Sequence, residues 1–183
     1  PLKKAGIKAG SSVGIIGIGG LGHMAVMIAK AMGAKVTAIT THEEKRQAAL
    51  ELGADDVLIS DDEDAMKAHE AKFDYLLCTI PDSFDVSPYL SLLNIYGTIC
   101  VLGLVGKYKA PIDNTKLIFS NLSLKGSLIG GIPDTQEVLQ FCADHGIKPQ
   151  IEVIDIEEIN DAYEKIKNED VRFRYVIDME SLK

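Results

Sequence analysis

The sequence of 183 residues predicts an α/β fold built on a doubly wound parallel sheet. Segments with the pattern of buried strands alternate with helical segments almost to the end of the chain. A glycine-rich turn joins the first of these strands to the first helix. Apolar residues make up 46% of the chain, which is enough for the core of one large domain.

Apolar runs bounded by glycine, proline or acidic residues predict the strands and helices of this domain. Six strands are predicted, at residues 12–18, 35–40, 57–60, 73–80, 98–104 and 122–129. Helices are predicted at residues 21–32, 43–52, 85–94 and 133–146. The acidic run Asp61–Asp64 predicts the start of one more helix, because the helix macrodipole favours negative charge there.

The pattern changes near residue 148, so we predict a domain over residues 1–147 and a short α/β tail over residues 148–183. The tail contains a strand, a helix that begins with a capping box from Asp155 to Glu158, and a second strand. The two strands are predicted at residues 150–154 and 172–178. This tail is too small to form a domain of its own and must pack on another part of the protein.

Charge and cysteine usage exclude several classes of function. The net charge of −8 disfavours binding to nucleic acid or to an anionic membrane surface. No apolar run is long enough to span a bilayer. Cys78, Cys100 and Cys142 lie far apart and lack the spacing of a zinc site, which is typical of reduced thiols in a cytoplasmic protein.

A Gly-x-Gly-x-x-Gly motif begins at Gly17, directly after the first predicted strand. Gly17 permits a tight turn, Gly19 lets the backbone approach a pyrophosphate, and Gly22 lets the helix pack close to the strand. We expect Gly20 and Leu21 in the same turn to line the site. This context predicts a Rossmann domain whose helix N-terminus binds a dinucleotide. The alternative is a glycine-rich turn that binds nothing.

The end of the second predicted strand indicates which dinucleotide binds. Domains that bind NAD usually carry an acidic residue there, whereas this chain has Thr40 and Thr41, followed by His42 and Arg46. Hydroxyl groups and cations accept a 2′-phosphate that an acid would repel, so the sequence favours NADP(H) over NAD(H). Alternatively, Thr41 and Glu44 form a capping box, and Arg46 is an ordinary exposed cation.

The stretch GIGGLGHMAVMIAKAMGAKV at residues 17–36 resembles the zinc-dependent medium-chain alcohol dehydrogenases, above all their cinnamyl alcohol dehydrogenase branch. The resemblance continues in order through residues 49–56, 88–93, 126–130 and 170–175. It therefore covers nearly the whole chain and is far more specific than the glycine motif alone.

The resemblance implies roles for residues at several strand ends. The residues expected at the adenosine 2′-phosphate are Thr40, Thr41, His42 and Arg46. Thr79 falls where the family approaches the nicotinamide half, and Arg172 matches an arginine that reaches the pyrophosphate. The backbone positions expected at the carboxamide are Leu102, Gly103, Ser127 and Leu128. His42 departs from the smaller polar residue that is usual in the branch. His23 is expected to be packed or exposed to solvent and not catalytic.

The family reaction is hydride transfer between an alcohol and NADP⁺, with a zinc ion that polarises the substrate oxygen. The zinc ligands lie in an N-terminal catalytic domain, and residues 1–6 resemble the segment just after the last of them. The resemblance therefore implies that this chain is the cofactor half of the enzyme, inactive alone, with a tail that packs on the other half. It also implies a homodimer that forms through the edge strand at residues 122–129.

Three other functions remain open at this point. The chain could be a stand-alone module that senses a nucleotide. It could belong to a zinc-free medium-chain reductase that acts on quinones or enoyl groups. A methyltransferase is disfavoured, because its cofactor lacks the pyrophosphate that a three-glycine turn would hold.

Overall fold

Six parallel strands form the central sheet, in the order β3-β2-β1-β4-β5-β6. They are β1 Ser12–Ile16, β2 Lys35–Thr40, β3 Asp56–Ile59, β4 Phe73–Cys78, β5 Leu93–Val101 and β6 Ser123–Gly126. The chain runs outward from β1 to β3 and then returns to place β4 on the other side of β1. This reversal is the topological switch point of a doubly wound fold, so the predicted fold class is confirmed.

The computed structural model describes residues 1–103, 106–167 and 173–182. The chain forms two units, Pro1–Ile147 and Lys148–Lys183. The helices of the larger unit are α1 Gly22–Ala31, α2 Arg46–Glu51, α3 Glu63–Ala68, α4 Ser87–Leu90, α5 Asn114–Phe119 and α6 Ile132–Asp144. A 3₁₀ turn over Glu43–Lys45 precedes α2. Within the described ranges, every helix is too short or too polar to cross a bilayer.

The third quarter of the chain differs most from the prediction. The helix predicted at residues 85–94 is only the single turn α4, and β5 begins at Leu93 instead of residue 98. Leu93 pairs with Phe73, and the ladder then shifts register before Tyr75. Tyr96 has a φ of 65° at this irregularity, so this part of β5 lacks the regular pattern from which a strand is predicted. The prediction also missed α5, which Asp113 caps by accepting a hydrogen bond from the Thr115 N–H at 2.9 Å.

Four strands end at least two residues earlier than predicted, because the chain leaves the sheet as soon as it reaches the C-terminal edge. β1 ends at Ile16, β4 at Cys78, β5 at Val101 and β6 at Gly126. The apolar residues that follow each strand belong to the loops at that edge. The sequence pattern does not separate a buried loop residue from a strand residue.

The core lies on both faces of the central strands. Val13, Ile15, Leu76 and Ile99 have no exposed side-chain surface. Burial of each such side chain stabilises the fold by about 1.5–3 kcal/mol. A Cβ atom on Gly14 would lie 2.4 Å from Leu76 Cδ2 and 3.0 Å from Ile39 Cδ1, so a larger residue at that position would force these buried side chains to shift.

Asp55 connects α1 to β2 just before β3 begins. Its carboxylate accepts hydrogen bonds from Lys30 Nζ at 2.7 and 2.9 Å and from the Val36 N–H at 2.7 Å. Burial acts to raise the pKa of Asp55, but the bonds from Lys30 and Val36 outweigh it and lower the pKa. These contacts hold the C-terminal half of α1 against the neighbouring strand.

We expect Asp55→Asn to lower the free energy of unfolding by about 1 kcal/mol at pH 7, because the charge-assisted bonds lose their strength. A carboxyl whose pKa is lowered by folding stabilises the protein above its unfolded pKa of about 4. The difference between the variant and the wild type should therefore shrink as the pH falls below about 4. Urea unfolding at pH 7 and at low pH measures this; a difference that grows toward low pH would contradict it.

The smaller unit contains a parallel pair of strands, β7 Glu152–Asp155 and β8 Tyr175–Asp178, and the helix α7 Ile159–Lys167. Glu158 accepts a hydrogen bond from the Asp155 N–H at 2.9 Å, as expected of the predicted capping box. Tyr163 and Ile166 on α7 are at least half exposed.

Candidate functional site

The glycine turn lies at the switch point, where the C-terminal ends of β1 and β4 diverge. Gly17 has a φ of 86°, and its N–H donates to the Ile39 carbonyl at 2.9 Å. Thr79 follows β4, and its hydroxyl donates to the carbonyls of Gly17 at 2.9 Å and Ile16 at 3.1 Å. The structure thus places Thr79 under the glycine turn, a role that no local sequence pattern indicates.

Gly22 and Gly19 occupy opposite environments within the same turn. A Cβ atom on Gly22 would lie 1.9 Å from the Gly17 carbonyl oxygen, so only glycine allows α1 to start this close to β1. A Cβ atom on Gly19 would meet nothing within 4 Å, and Gly19 is exposed. The turn is therefore closed on the side of the protein and open on the side where a ligand would approach.

The first turn of α1 contributes electrostatics and packing to this site. It contains no acidic residue, so no carboxylate of this turn offsets the partial positive charge of the helix N-terminus. His23 in this turn is fully buried, with Nδ1 3.1 Å from the Gly19 carbonyl oxygen. His23 is thus a packed residue that supports the glycine turn, which is one of the two environments expected for it.

The end of β2 places three predicted residues next to one another. Thr40 is 6% exposed, and its hydroxyl accepts a hydrogen bond from the His42 N–H at 3.2 Å. Thr41 is exposed, with Oγ1 2.6 Å from His42 Nδ1. The alternative capping box of Thr41 and Glu44 is wrong, because His42 is the N-cap of the 3₁₀ turn and makes no side-chain cap. The Thr41 hydroxyl contacts His42 instead.

Arg46, the fourth predicted residue, is already engaged. Its Nε and Nη2 donate to the two carboxylate oxygens of Glu43, the Nη2 bond at 2.9 Å, and its Nη1 donates to the Val57 carbonyl at 3.0 Å. The hydrogen bond lowers the pKa of Glu43 and raises the pKa of Arg46. Lys45, one residue closer to the strand end, is a second cation on this segment and was not among the predicted site residues.

The predicted carboxamide contacts lie at the ends of β5 and β6, on the same edge of the sheet as the glycine turn. The Leu102 N–H donates to the Cys78 carbonyl at 2.9 Å, and the Ser127 N–H donates to the Val101 carbonyl at 3.1 Å. A Cβ atom on Gly103 would lie 1.9 Å from the Ile80 carbonyl oxygen. Leu128 is 73% exposed. The predicted Arg172 lies outside the described residues.

An apolar groove of about 570 Å³ lies within the larger unit, beside these strand ends. Its lining includes Leu102, Ser127 and Leu128 from the loops, Ile28 from α1 and Phe141 from α6. Three predicted carboxamide residues therefore border this groove.

The described residues offer neither a metal centre nor an activated thiol. Among them, no three His, Cys, Asp or Glu side chains are placed to hold a metal ion. Cys78 and Cys100 are buried, and burial raises the pKa of the Cys78 thiol to about 11. The part of the chain that the structure describes therefore does not fit a zinc ion.

The chain is similar to known dehydrogenases along its whole length. The zinc-binding dehydrogenase family matches residues 20–144. Aldehyde reductase YahK of Escherichia coli is 45% identical over 183 residues, which cover 100% of this chain and 52% of that protein.

Two solved structures are similar to the whole chain. A cinnamyl alcohol dehydrogenase from Sorghum bicolor matches with a TM-score of 0.94 and 36% identity, over 99% of this chain and 51% of that one. The Helicobacter pylori cinnamyl alcohol dehydrogenase complexed with NADP(H) matches with a TM-score of 0.87 and 36% identity, over 98% of this chain and 51% of that one. The chain spans about half the length of these relatives. It belongs to the zinc-binding dehydrogenase family and corresponds to the coenzyme-binding portion of the alcohol dehydrogenases within it.

Proposed function

We propose that this chain binds NADP(H) for an alcohol dehydrogenase similar to the cinnamyl alcohol dehydrogenases. The observation that carries the proposal is the asymmetry of the glycine turn. Gly22 is closed against the Gly17 carbonyl, whereas Gly19 is open to a ligand. A turn of this shape at a helix N-terminus suits a pyrophosphate that approaches the backbone closely.

The other strand ends supply the rest of the binding surface. The pyrophosphate would lie over Gly19 and Gly20, with Leu21 beside it. The adenosine ribose would lie at the end of β2, where Thr40 and Thr41 provide hydroxyl groups. The nicotinamide would lie near Thr79 and the loops after β5 and β6. When bound, the nicotinamide supplies or accepts a hydride, and the chain's own residues hold it in position.

The preference for NADP(H) rests on the chemistry of the β2 end. The residues from Thr40 to His42 carry hydroxyl and imidazole groups and no carboxylate. Such groups favour a 2′-phosphate, whereas NAD-specific sites place a carboxylate on the ribose hydroxyls. The similar Helicobacter pylori structure is complexed with NADP(H), which supports the same assignment.

The chemical step belongs, in this proposal, to a longer protein of which this chain is the cofactor half. There an alcohol or aldehyde would exchange a hydride with the nicotinamide, and a zinc ion held by other residues would polarise the substrate oxygen. β6 is one of the two edge strands of the sheet, and Ile118 and Phe119 at the end of the preceding helix α5 are 65% and 81% exposed. This apolar edge supports a homodimer that pairs through β6.

Calorimetric titration of the chain with NADPH and NADH tests the proposal. We expect both to bind, NADPH more tightly, and we expect no alcohol oxidation by the chain alone. Tighter binding of NADH would contradict the NADP(H) assignment. A folded chain that binds neither nucleotide would overturn the proposed function.

Arg46→Ala tests the role of the cation near the β2 end. We expect NADPH binding to weaken by about 1 kcal/mol, less than the roughly 1.5–3 kcal/mol of an unopposed charge-assisted hydrogen bond, because Arg46 must first leave Glu43. NADH binding should stay unchanged. Lys45→Ala in parallel compares the two cations. An equal loss for NADPH and NADH in Arg46→Ala would remove Arg46 from the 2′-phosphate site.

A further inference from the structure

Every nitrogen of the Arg46 guanidinium has an acceptor within the protein. Nε and Nη2 form a two-pronged pair with the Glu43 carboxylate, and Nη1 reaches the Val57 carbonyl at 3.0 Å. Glu43 opens the 3₁₀ turn that follows β2, and Arg46 begins α2 directly after this turn. The pair therefore closes the segment that leaves the end of β2.

A 2′-phosphate that bound Arg46 through the Nε and Nη2 edge of its guanidinium would need the donors that Glu43 occupies. Phosphate and carboxylate both bind guanidinium through two parallel hydrogen bonds, so one prong of Arg46 cannot serve both at once. The Glu43 carboxylate would also repel the phosphate while it stays beside Arg46. Glu43 is therefore a competitor of the 2′-phosphate for Arg46.

The hydrogen bond to the Val57 carbonyl shows where the guanidinium of Arg46 lies. Val57 pairs with Ala38, whereas Thr40 at the strand end pairs with Ile59. The Val57 carbonyl thus lies two residues, or about 7 Å, before the C-terminal edge of the sheet. Arg46 is held along the side of the edge strand β3 and away from the predicted phosphate position.

The ion pair between Arg46 and Glu43 is weak enough for a ligand to break. The side chains of Arg46 and Glu43 are 39% and 65% exposed. Ion pairs with this much exposure contribute little stability and exchange readily. The pair therefore adjusts the affinity for a 2′-phosphate without preventing its binding.

We propose that Glu43 is a specificity-determining residue that narrows the preference for NADPH over NADH by occupying Arg46. This inference rests on the proposed NADP(H) site. When Glu43 loses its charge, Arg46 can turn to the 2′-phosphate. The affinity for NADPH rises, while NADH, which has no phosphate there, is unaffected.

The test compares Glu43→Gln, Glu44→Gln, Arg46→Ala and the double variant Glu43→Gln/Arg46→Ala. Glu44→Gln is the matched control, because it removes the same charge one residue further along the exposed turn. Dissociation constants for NADPH, NADH, 2′,5′-ADP and 5′-AMP are measured by calorimetry at constant salt, after circular dichroism has verified folding.

We expect Glu43→Gln to bind NADPH and 2′,5′-ADP about fivefold more tightly and NADH and 5′-AMP within twofold of the wild type. The gain in NADPH affinity should be smaller in Glu44→Gln. The double variant should show no gain over Arg46→Ala alone. An equal gain in Glu44→Gln, or a gain that persists without Arg46, would overturn the inference in favour of a general charge effect. Weaker NADPH binding by Glu43→Gln would also overturn it, since Glu43 would then position Arg46 for the phosphate. Failure of the folded wild type to bind either dinucleotide would refute the proposed function itself.

Discussion

Gly22→Ala is expected to destabilise the larger unit by about 3 kcal/mol, the upper part of the range for overpacking a close contact. The new Cβ atom would lie 1.9 Å from the Gly17 carbonyl oxygen and 2.9 Å from the Gly17 carbonyl carbon. Both are backbone atoms, and the Thr79 hydroxyl holds the same carbonyl at 2.9 Å. The Gly17 carbonyl cannot move without breaking the turn, and the new Cβ atom cannot move without displacing α1. Nucleotide binding should therefore be lost as well.

Urea unfolding followed by circular dichroism measures this effect, with Gly19→Ala as the matched control. The same substitution at Gly19 meets nothing within 4 Å, and the φ of Gly19 lies outside the left-handed region. Its stability should therefore stay within about 0.5 kcal/mol of the wild type. Equal stability of the two variants would mean that the close approach of α1 to β1 is not required.

Gly19→Asp is expected to weaken the binding of NADPH and NADH by at least about 100-fold while the protein stays folded. The open side of the turn accommodates the carboxylate, which would lie where we place the negatively charged pyrophosphate. A carboxylate near the N-terminus of α1 also stabilises the helix through its dipole, so the loss of binding does not come from unfolding.

Two measurements separate the causes of this loss. Calorimetric titration gives the affinities for both nucleotides, and thermal unfolding monitors the fold. Gly19→Ala should show a smaller loss than Gly19→Asp, because it adds bulk without charge. If Gly19→Asp binds both nucleotides as the wild type does, the pyrophosphate does not lie over this turn.

The sequence was sufficient to predict the parallel sheet and the glycine turn, because both follow from local patterns. β2 was predicted with the bounds that the structure gives it, Lys35–Thr40. It is a buried strand between a glycine-terminated helix and a polar turn, so each boundary has its own signal.

The start of β5 and the helix α5 could not be predicted in the same way. β5 begins beside Phe73 and passes through an irregularity at Tyr96, so its pairing depends on a strand twenty residues earlier. α5 has one clear signal, the Asp113 cap, but its six residues are too few to show helical periodicity. Tertiary packing decides both elements.

At the candidate site, the sequence indicates which residue types lie at the strand ends but not which partners they contact. Arg46 and Glu43 are three residues apart, a spacing at which side chains on a helical turn meet. The acceptor at Val57 comes from the neighbouring strand and follows only from the fold. Thr79 and Gly17 are likewise joined only because β1 and β4 are neighbours.

The bond from the Thr79 hydroxyl to the Gly17 carbonyl has a consequence for the thermodynamics of binding. It joins the loop after β4 to the loop after β1, so the two walls of the crevice are fixed relative to each other in the folded chain. The conformational entropy of ordering this turn is therefore lost during folding and not when a nucleotide arrives. A site that is preorganised in this way keeps more of its contact energy as affinity.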